Sequence, residues 1–133
     1  MEIAQHTFYV FDLDERASIL TFFWTEKSTD MTLDDYKNAI RDYARLVLKH
    51  RARRALIDLR KFRTRVDADA GSFWGDEIVP VYNQAGLEKF ALLLPEGAEV
   101  PPDDQAPVAP ESGEKFVTRE FSSEQAAISW LRA

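Results

Sequence analysis

The spacing of apolar and polar residues along the chain predicts strands that alternate with helices. From Ala55 to Leu59 the residues are apolar except for Asp58, which is typical of a strand buried on both faces at the centre of a sheet. Lys89 to Leu94 contains another continuous apolar run and predicts a second inner strand. We therefore expect helices on both faces of the sheet.

The N-terminal part predicts a hairpin followed by a helix. Thr7 to Leu13 and Ser18 to Trp24 have the composition of strands, and the short turn between them indicates antiparallel pairing. Thr32 and Asp35 have the spacing of a capping box at a helix start. The apolar face of this helix recurs at spacings of three and four: Leu33, Tyr36, Ile40, Tyr43 and Val47.

A second helix is predicted after the central strand. Asp67 and Asp69 suit the positive end of a helix dipole. The apolar residues that continue at helical spacing are Trp74, Ile78, Val81, Tyr82 and Ala85. Pro80 has no N–H to bind the carbonyl four residues before it, so we expect a kink, or two short helices with Pro80 opening the second. Gly86 is then expected as the C-terminal cap.

Pro95 to Glu114 predicts an extended connection. It contains five of the six prolines, which prevent a continuous helix, and its first half is acidic. Two interpretations stay open: a plain linker, or a weak, salt-sensitive lid that folds over the basic loop after the central strand.

The chain ends with a predicted edge strand and a last helix. From Lys115 to Phe121 the pattern alternates, with Val117 and Phe121 on one face and Thr118 and Glu120 on a wet face. A capping box then opens the helix, whose inward residues include Ala127, Ile128 and Leu131; the box runs from Ser122 to Gln125.

These elements predict an α/β fold in a single domain over residues 1–133. The sheet is mixed and mostly parallel, with an antiparallel N-terminal hairpin strand and three to four helices. No apolar run approaches the roughly 20 residues of a membrane span, and the N-terminus lacks the pattern of a signal peptide. We therefore expect a cytoplasmic protein without a membrane span.

Composition excludes several kinds of site. The chain has no cysteine and two histidines, His6 and His50, far apart in sequence, so we expect no metal and no cofactor. The net charge of −6 argues against general nucleic-acid binding, which usually needs a basic surface.

Several segments together resemble small bacterial proteins of the STAS-like group. These proteins are relatives in fold of the anti-sigma-factor antagonists and, more distantly, of the CRAL-TRIO lipid-binding domains. The resemblance covers Thr7 to Leu131 and implies a non-catalytic binding or protein-interaction module. The segments that carry it are Ala55 to Leu59 after a long helix, the Trp-bearing helix with Pro80, Lys89 to Leu93, and the ending Arg119-x-Phe121 with Ala127-x-x-Trp130-Leu131.

The chain departs from the antagonists at their phosphorylated turn. That region here offers Thr64 and Ser72 as its hydroxyls, without the Asp-Ser-Ser/Thr-Gly-like motif, so we expect no phosphorylation switch. Asp67 and Asp69 could imitate a permanent phosphate or simply favour the helix start.

A basic loop follows the C-terminal end of the central strand. Ligands of open α/β sheets bind beyond this end of parallel strands, so Arg60, Lys61 and Arg63 are candidates for an anion or acidic-partner site. Asp58 lies at the same end and is either a base with a raised pKa or a structural partner of an arginine such as Arg60.

Aromatic residues at the same end have two interpretations, since Trp24, Phe73 and Trp74 either line a ligand pocket or pack in the core.

Two functions follow from these observations. The first is a non-catalytic module with an unknown protein partner, and a homodimer is left open. The second is binding, conceivably with catalysis, of a small anionic molecule or lipid head group by Asp58, Arg60, Lys61, Arg63 and Trp74. An apolar cavity under Trp24 and Trp74 favours the second function, and a filled core with a flat charged top favours the first.

Overall fold

A computed structural model of the chain describes residues 2–62, 73–95 and 115–133. They form a six-stranded sheet in which spatial order equals sequence order. The first three strands pair antiparallel, and the third to the sixth pair parallel. The predicted mixed α/β fold is therefore confirmed. The strands are β1 (Glu2–Gln5), β2 (Tyr9–Asp14), β3 (Ile19–Trp24), β4 (Arg54–Asp58), β5 (Lys89–Leu93) and β6 (Val117–Phe121).

The helices follow the predicted order. They are a 3₁₀ turn (Glu26–Asp30), α1 (Leu33–His50), a π-helical turn (Trp74–Ile78), α2 (Val79–Ala85) and α3 (Glu124–Arg132). Within the described ranges, no helix combines the length and the apolar character needed to cross a membrane.

Local sequence signals explain most helix ends. The Thr32 hydroxyl accepts from the Asp35 N–H at 3.1 Å, and the Asp35 carboxylate accepts from the Thr32 N–H at 3.0 Å, so the predicted capping box is confirmed. Pro80 lies in the first turn of α2, as predicted for the second of two short helices. Gly86 caps α2 with φ of 87°, a left-handed conformation that favours glycine.

The cap of α3 differs from the prediction by one residue. Ser123 is the N-cap, and its hydroxyl accepts from the Ala126 N–H at 3.3 Å, so the box expected between Ser122 and Gln125 is wrong. The Leu94 N–H donates to the Phe121 carbonyl at 2.8 Å. Because this bond keeps the chain in the sheet as far as Phe121, the helix begins one residue later than predicted.

The sheet separates two cores. α1 and α2 cover one face and enclose the larger core, which includes Phe11, Phe22, Tyr43 and Tyr82. α3 covers part of the other face over a smaller core that contains Leu56, Leu93, Phe121 and Leu131. Ala55 and Ile57 belong to the larger core and Leu56 to the smaller one, so β4 is buried on both faces as predicted.

β6 is an edge strand as predicted, but its two faces are not as expected. Val117 is 44% exposed, whereas Thr118, predicted to be wet, is half-buried and lines a partly open cavity. The reason is the position of α3 over β5, where Lys89 Nζ donates to the carbonyls of Trp130 and Ala133 at 2.8 Å. The outer strand is left uncovered at Val117. β1 was not predicted at all.

Several predictions fall on residues outside the described ranges. They concern Arg63 as a ligand-binding residue, Thr64 and Ser72 as hydroxyls, Asp67 and Asp69 at a helix start, and the choice between linker and lid for the acidic connection.

Candidate functional site

The candidate site is an apolar cavity of about 370 Å³ in the larger core. It lies between the sheet, α1 and the helical segment 73–85. Its volume is within the range of small-molecule sites. The described lining residues are Trp24, Tyr36, Ile40, Ile57, Leu59, Phe62, Trp74, Val79, Tyr82, Phe90, Leu92, Phe116 and Thr118.

Three lining aromatic residues form one wall, which we call the Trp24 wall: Trp24, Tyr36 and Phe62. The rings of Trp24 and Tyr36 are nearly parallel, with centroids 5.8 Å apart, and Phe62 lies 4.9 Å from Trp24. Trp24 ends β3, Tyr36 belongs to the first turns of α1, and Phe62 follows β4. The C-terminal ends of two parallel strands therefore meet the start of α1 at this wall.

Four further aromatic residues form a second group, the Tyr82 wall: Trp74, Tyr82, Phe90 and Phe116. Tyr82 is in contact with the other three at centroid distances of 5.6 to 6.1 Å. The strand period of two places Phe90 of β5 on the larger-core face, and the α2 helix brings Tyr82 over it. The wall thus joins the sheet to the second helical layer.

A hydrogen bond connects the two walls, because Trp74 Nε1 donates to Tyr36 Oη at 2.9 Å. Trp74 is the first residue of the π-helical turn, in which the Val79 N–H binds the Trp74 carbonyl five residues back. Such turns are rare and often occur at functional sites. Pro80 follows directly and cannot donate, so the sequence favours an irregular helix here.

Two buried polar atoms on the cavity-lining side chains have no hydrogen-bond partner in the described part of the chain. They are Trp24 Nε1 and Tyr82 Oη. Burial, with a smaller effect from Tyr43 and Tyr36, raises the pKa of Tyr82 well above the usual value for tyrosine. The Tyr82 hydroxyl therefore stays protonated and can donate a hydrogen bond.

Asp58 and Arg60 form an ion pair away from this cavity. Arg60 donates to the Asp58 carboxylate through Nη2 at 2.6 Å and Nε at 3.0 Å, and its backbone N–H adds a bond of 3.0 Å. Glu124 of α3 is 3.5 Å from the same guanidinium, which places the pair on the α3 side of the sheet. These hydrogen bonds and charges, chiefly those of Asp58, raise the pKa of Arg60. This geometry matches the second interpretation of Asp58, in which the carboxylate is a structural partner of an arginine.

The remaining predicted site residues are dispersed. Lys61 is exposed and borders a separate groove with Lys27 and His6. Trp74 lines the cavity, and Arg63 lies outside the described ranges. The structure therefore brings Asp58 and Arg60 together, and it separates them from Trp74. Among the aromatic candidates, Trp24 also lines the cavity, while Phe73 is buried beneath the cations of Lys37 and Arg41.

Sequence reasoning missed most of the cavity. Tyr36 was recognised as an inward residue of α1 and Tyr82 as an inward residue of the second helix, and both were assigned to packing. The available signal was chemical: a tyrosine at an inward helical position carries a hydroxyl that must find a partner. Thr118 was assigned to the wet face of an edge strand.

Comparisons with protein-family models, with curated proteins and with solved structures find no match to this chain.

Proposed function

We propose that this chain is a binding protein for a small, mainly apolar molecule, which occupies the cavity between the Trp24 wall and the Tyr82 wall. The observation that carries this proposal is a cavity of about 370 Å³ lined by seven aromatic side chains. Aromatic side chains offer large, rigid contact surfaces, and ligand sites are lined mainly by such residues.

Packing energetics support an occupant. Atoms that line a void lose dispersion contacts, so a cavity in a core lowers stability. A ligand of matching shape restores those contacts. It also stabilises the folded chain by mass action, because it binds the native state and not the unfolded one.

The chemistry of the lining supports binding rather than catalysis. None of the described lining residues is charged, and their polar groups are the side chains of Trp24, Tyr36, Trp74, Tyr82 and Thr118. This set holds no carboxylate, imidazole or amine that would act as a general base. Arg60, the predicted anion ligand, is paired with Asp58 and Glu124 instead.

We also propose that the fold is related to the STAS-like group. Support comes from the antiparallel start of the sheet, the sequential parallel strands, and the docking of α3 through Leu131, which is fully buried. These are features of packing, so they bear on the fold and not on the choice of ligand.

The test uses a neutral naphthylamine dye whose fluorescence rises in apolar surroundings. We expect saturable binding to the full chain. Leu92→Phe adds volume inside the cavity and should lower the affinity for the dye by about tenfold or more. Val117→Phe makes a similar change at an exposed site on the same sheet and serves as the matched control.

Binding that is unchanged in both variants would place the dye elsewhere and contradict the proposal. Equal weakening in both would indicate a general loss of structure, which thermal unfolding of each variant detects. Absence of dye binding by the unmodified chain would reject an apolar site of this kind.

A further inference from the structure

Tyr82 carries a hydroxyl among aromatic rings. Its side chain is fully buried, and its ring is in contact with Trp74, Phe90 and Phe116. Its hydroxyl has no hydrogen-bond partner in the described part of the chain. Buried hydroxyls in native proteins nearly always have a partner, so this hydroxyl is a candidate donor to a group that enters the cavity.

The second unpartnered donor, Trp24 Nε1, is less selective. Trp24 lines the cavity and also borders the groove that contains Lys27 and Lys61. Tyr82 lines the cavity and does not border that groove. Among the two unpartnered donors of the described lining residues, the hydroxyl of Tyr82 is therefore the one whose residue borders the cavity alone.

The charge of the ligand follows from the lining. A carboxylate or an ammonium in the cavity would be desolvated without an opposite charge among the described lining residues. The same desolvation disfavours the tyrosinate form of Tyr82. A neutral oxygen avoids this penalty, and it can accept the hydrogen bond that the Tyr82 hydroxyl offers.

We propose, on the basis of the binding function proposed above, that the ligand is an uncharged, mainly apolar molecule with an acceptor oxygen, such as a ketone or an ester carbonyl, and that Tyr82 Oη donates to this oxygen. Tyr82 is then the residue that determines specificity. The aromatic walls hold the apolar part of the molecule, and the hydroxyl selects its polar part.

The test compares two neutral probes, ethylnaphthalene and acetylnaphthalene, which share a ring system and have nearly the same shape. Each is measured by competition with the naphthylamine dye on the full chain and on Tyr82→Phe. The ratio of the two affinities cancels differences in water solubility. We expect the preference for the ketone to fall about fivefold in Tyr82→Phe, since one hydrogen bond is lost.

Tyr43→Phe is the matched control. Tyr43 is also fully buried, but its hydroxyl donates to the Leu20 carbonyl and it does not line the cavity. The probe ratio should not change in this variant. If the ratio is the same in Tyr82→Phe and in the unmodified chain, the role of Tyr82 is wrong while the binding function stands. If neither probe binds the unmodified chain, both proposals fail.

Discussion

Two parts of the larger core contain the same residue types in different arrangements. The Tyr43 region consists of Phe11, Phe22 and Tyr43, with ring centroids 4.9 to 5.5 Å apart. In the Tyr82 wall the rings in contact with Tyr82 are 5.6 to 6.1 Å away, and the cavity lies beside them. The rings of Tyr43 and Tyr82 are themselves neighbours, at 6.3 Å.

The difference between the two tyrosines bears on the proposed binding function. Both tyrosines are fully buried, but the Tyr43 hydroxyl donates to the Leu20 carbonyl and the Tyr82 hydroxyl has no partner in the described chain. The Tyr43 region is closely packed and its buried hydroxyl is hydrogen-bonded, so it holds α1 to β2 and β3. The Tyr82 wall is incompletely packed, so it is the part of this core that a ligand would complete.

The largest expected contrast comes from removing one phenylalanine ring on each side. Phe22→Ala should lower the free energy of unfolding by about 3 to 5 kcal/mol, because Phe22 is fully buried and touches four aromatic rings. Phe116→Ala should cost at least about 1 kcal/mol less, since Phe116 is 8% exposed and already borders the cavity. Urea denaturation of both variants measures the difference.

Equal losses would mean that the two sides are equally well packed. The slope of the denaturation curve is the necessary control, because a changed slope would show that a variant alters the compactness of one state rather than stability alone.

The fold was predictable because its strongest signals are local. The continuous apolar runs indicated β4 and β5, and Thr32, Pro80 and Gly86 marked helix ends by backbone chemistry. β1 was missed because its four residues carry no distinct pattern. Val117 was misplaced because its exposure depends on where α3 docks, which is a tertiary property.

The candidate site was predicted only in part. Trp24 and Trp74 were recognised as candidates because aromatic residues fell at the expected end of the sheet, whereas charge concentration drew attention to Asp58, Arg60 and Lys61. Charges are visible in a sequence. A cavity is not, because it depends on how closely residues from β3, α1, α2 and β6 approach one another.

Added volume gives a smaller contrast between the two sides. Leu20→Phe should lower the free energy of unfolding by about 1 to 3 kcal/mol, because Leu20 is fully buried and does not line the cavity, so a larger ring must displace its neighbours. Leu92 lines the cavity, so the larger ring of Leu92→Phe can occupy free space, and the free energy of unfolding should change by less than about 1 kcal/mol. Thermal unfolding in the absence of ligand compares them. A larger loss in Leu92→Phe than in Leu20→Phe would contradict the assignment of free space.

The smallest contrast concerns a single hydroxyl on each side. Tyr43→Phe removes the donor to the Leu20 carbonyl and should lower the free energy of unfolding by about 1 kcal/mol. Tyr82→Phe removes a buried hydroxyl that has no partner in the described chain, so it should leave stability unchanged or raise it slightly. Both changes keep the ring and its contacts, and urea denaturation without ligand therefore reports the hydroxyl alone. A loss in Tyr82→Phe as large as that in Tyr43→Phe would mean that the Tyr82 hydroxyl is already bonded in the free protein, and its availability to a ligand would be disproved.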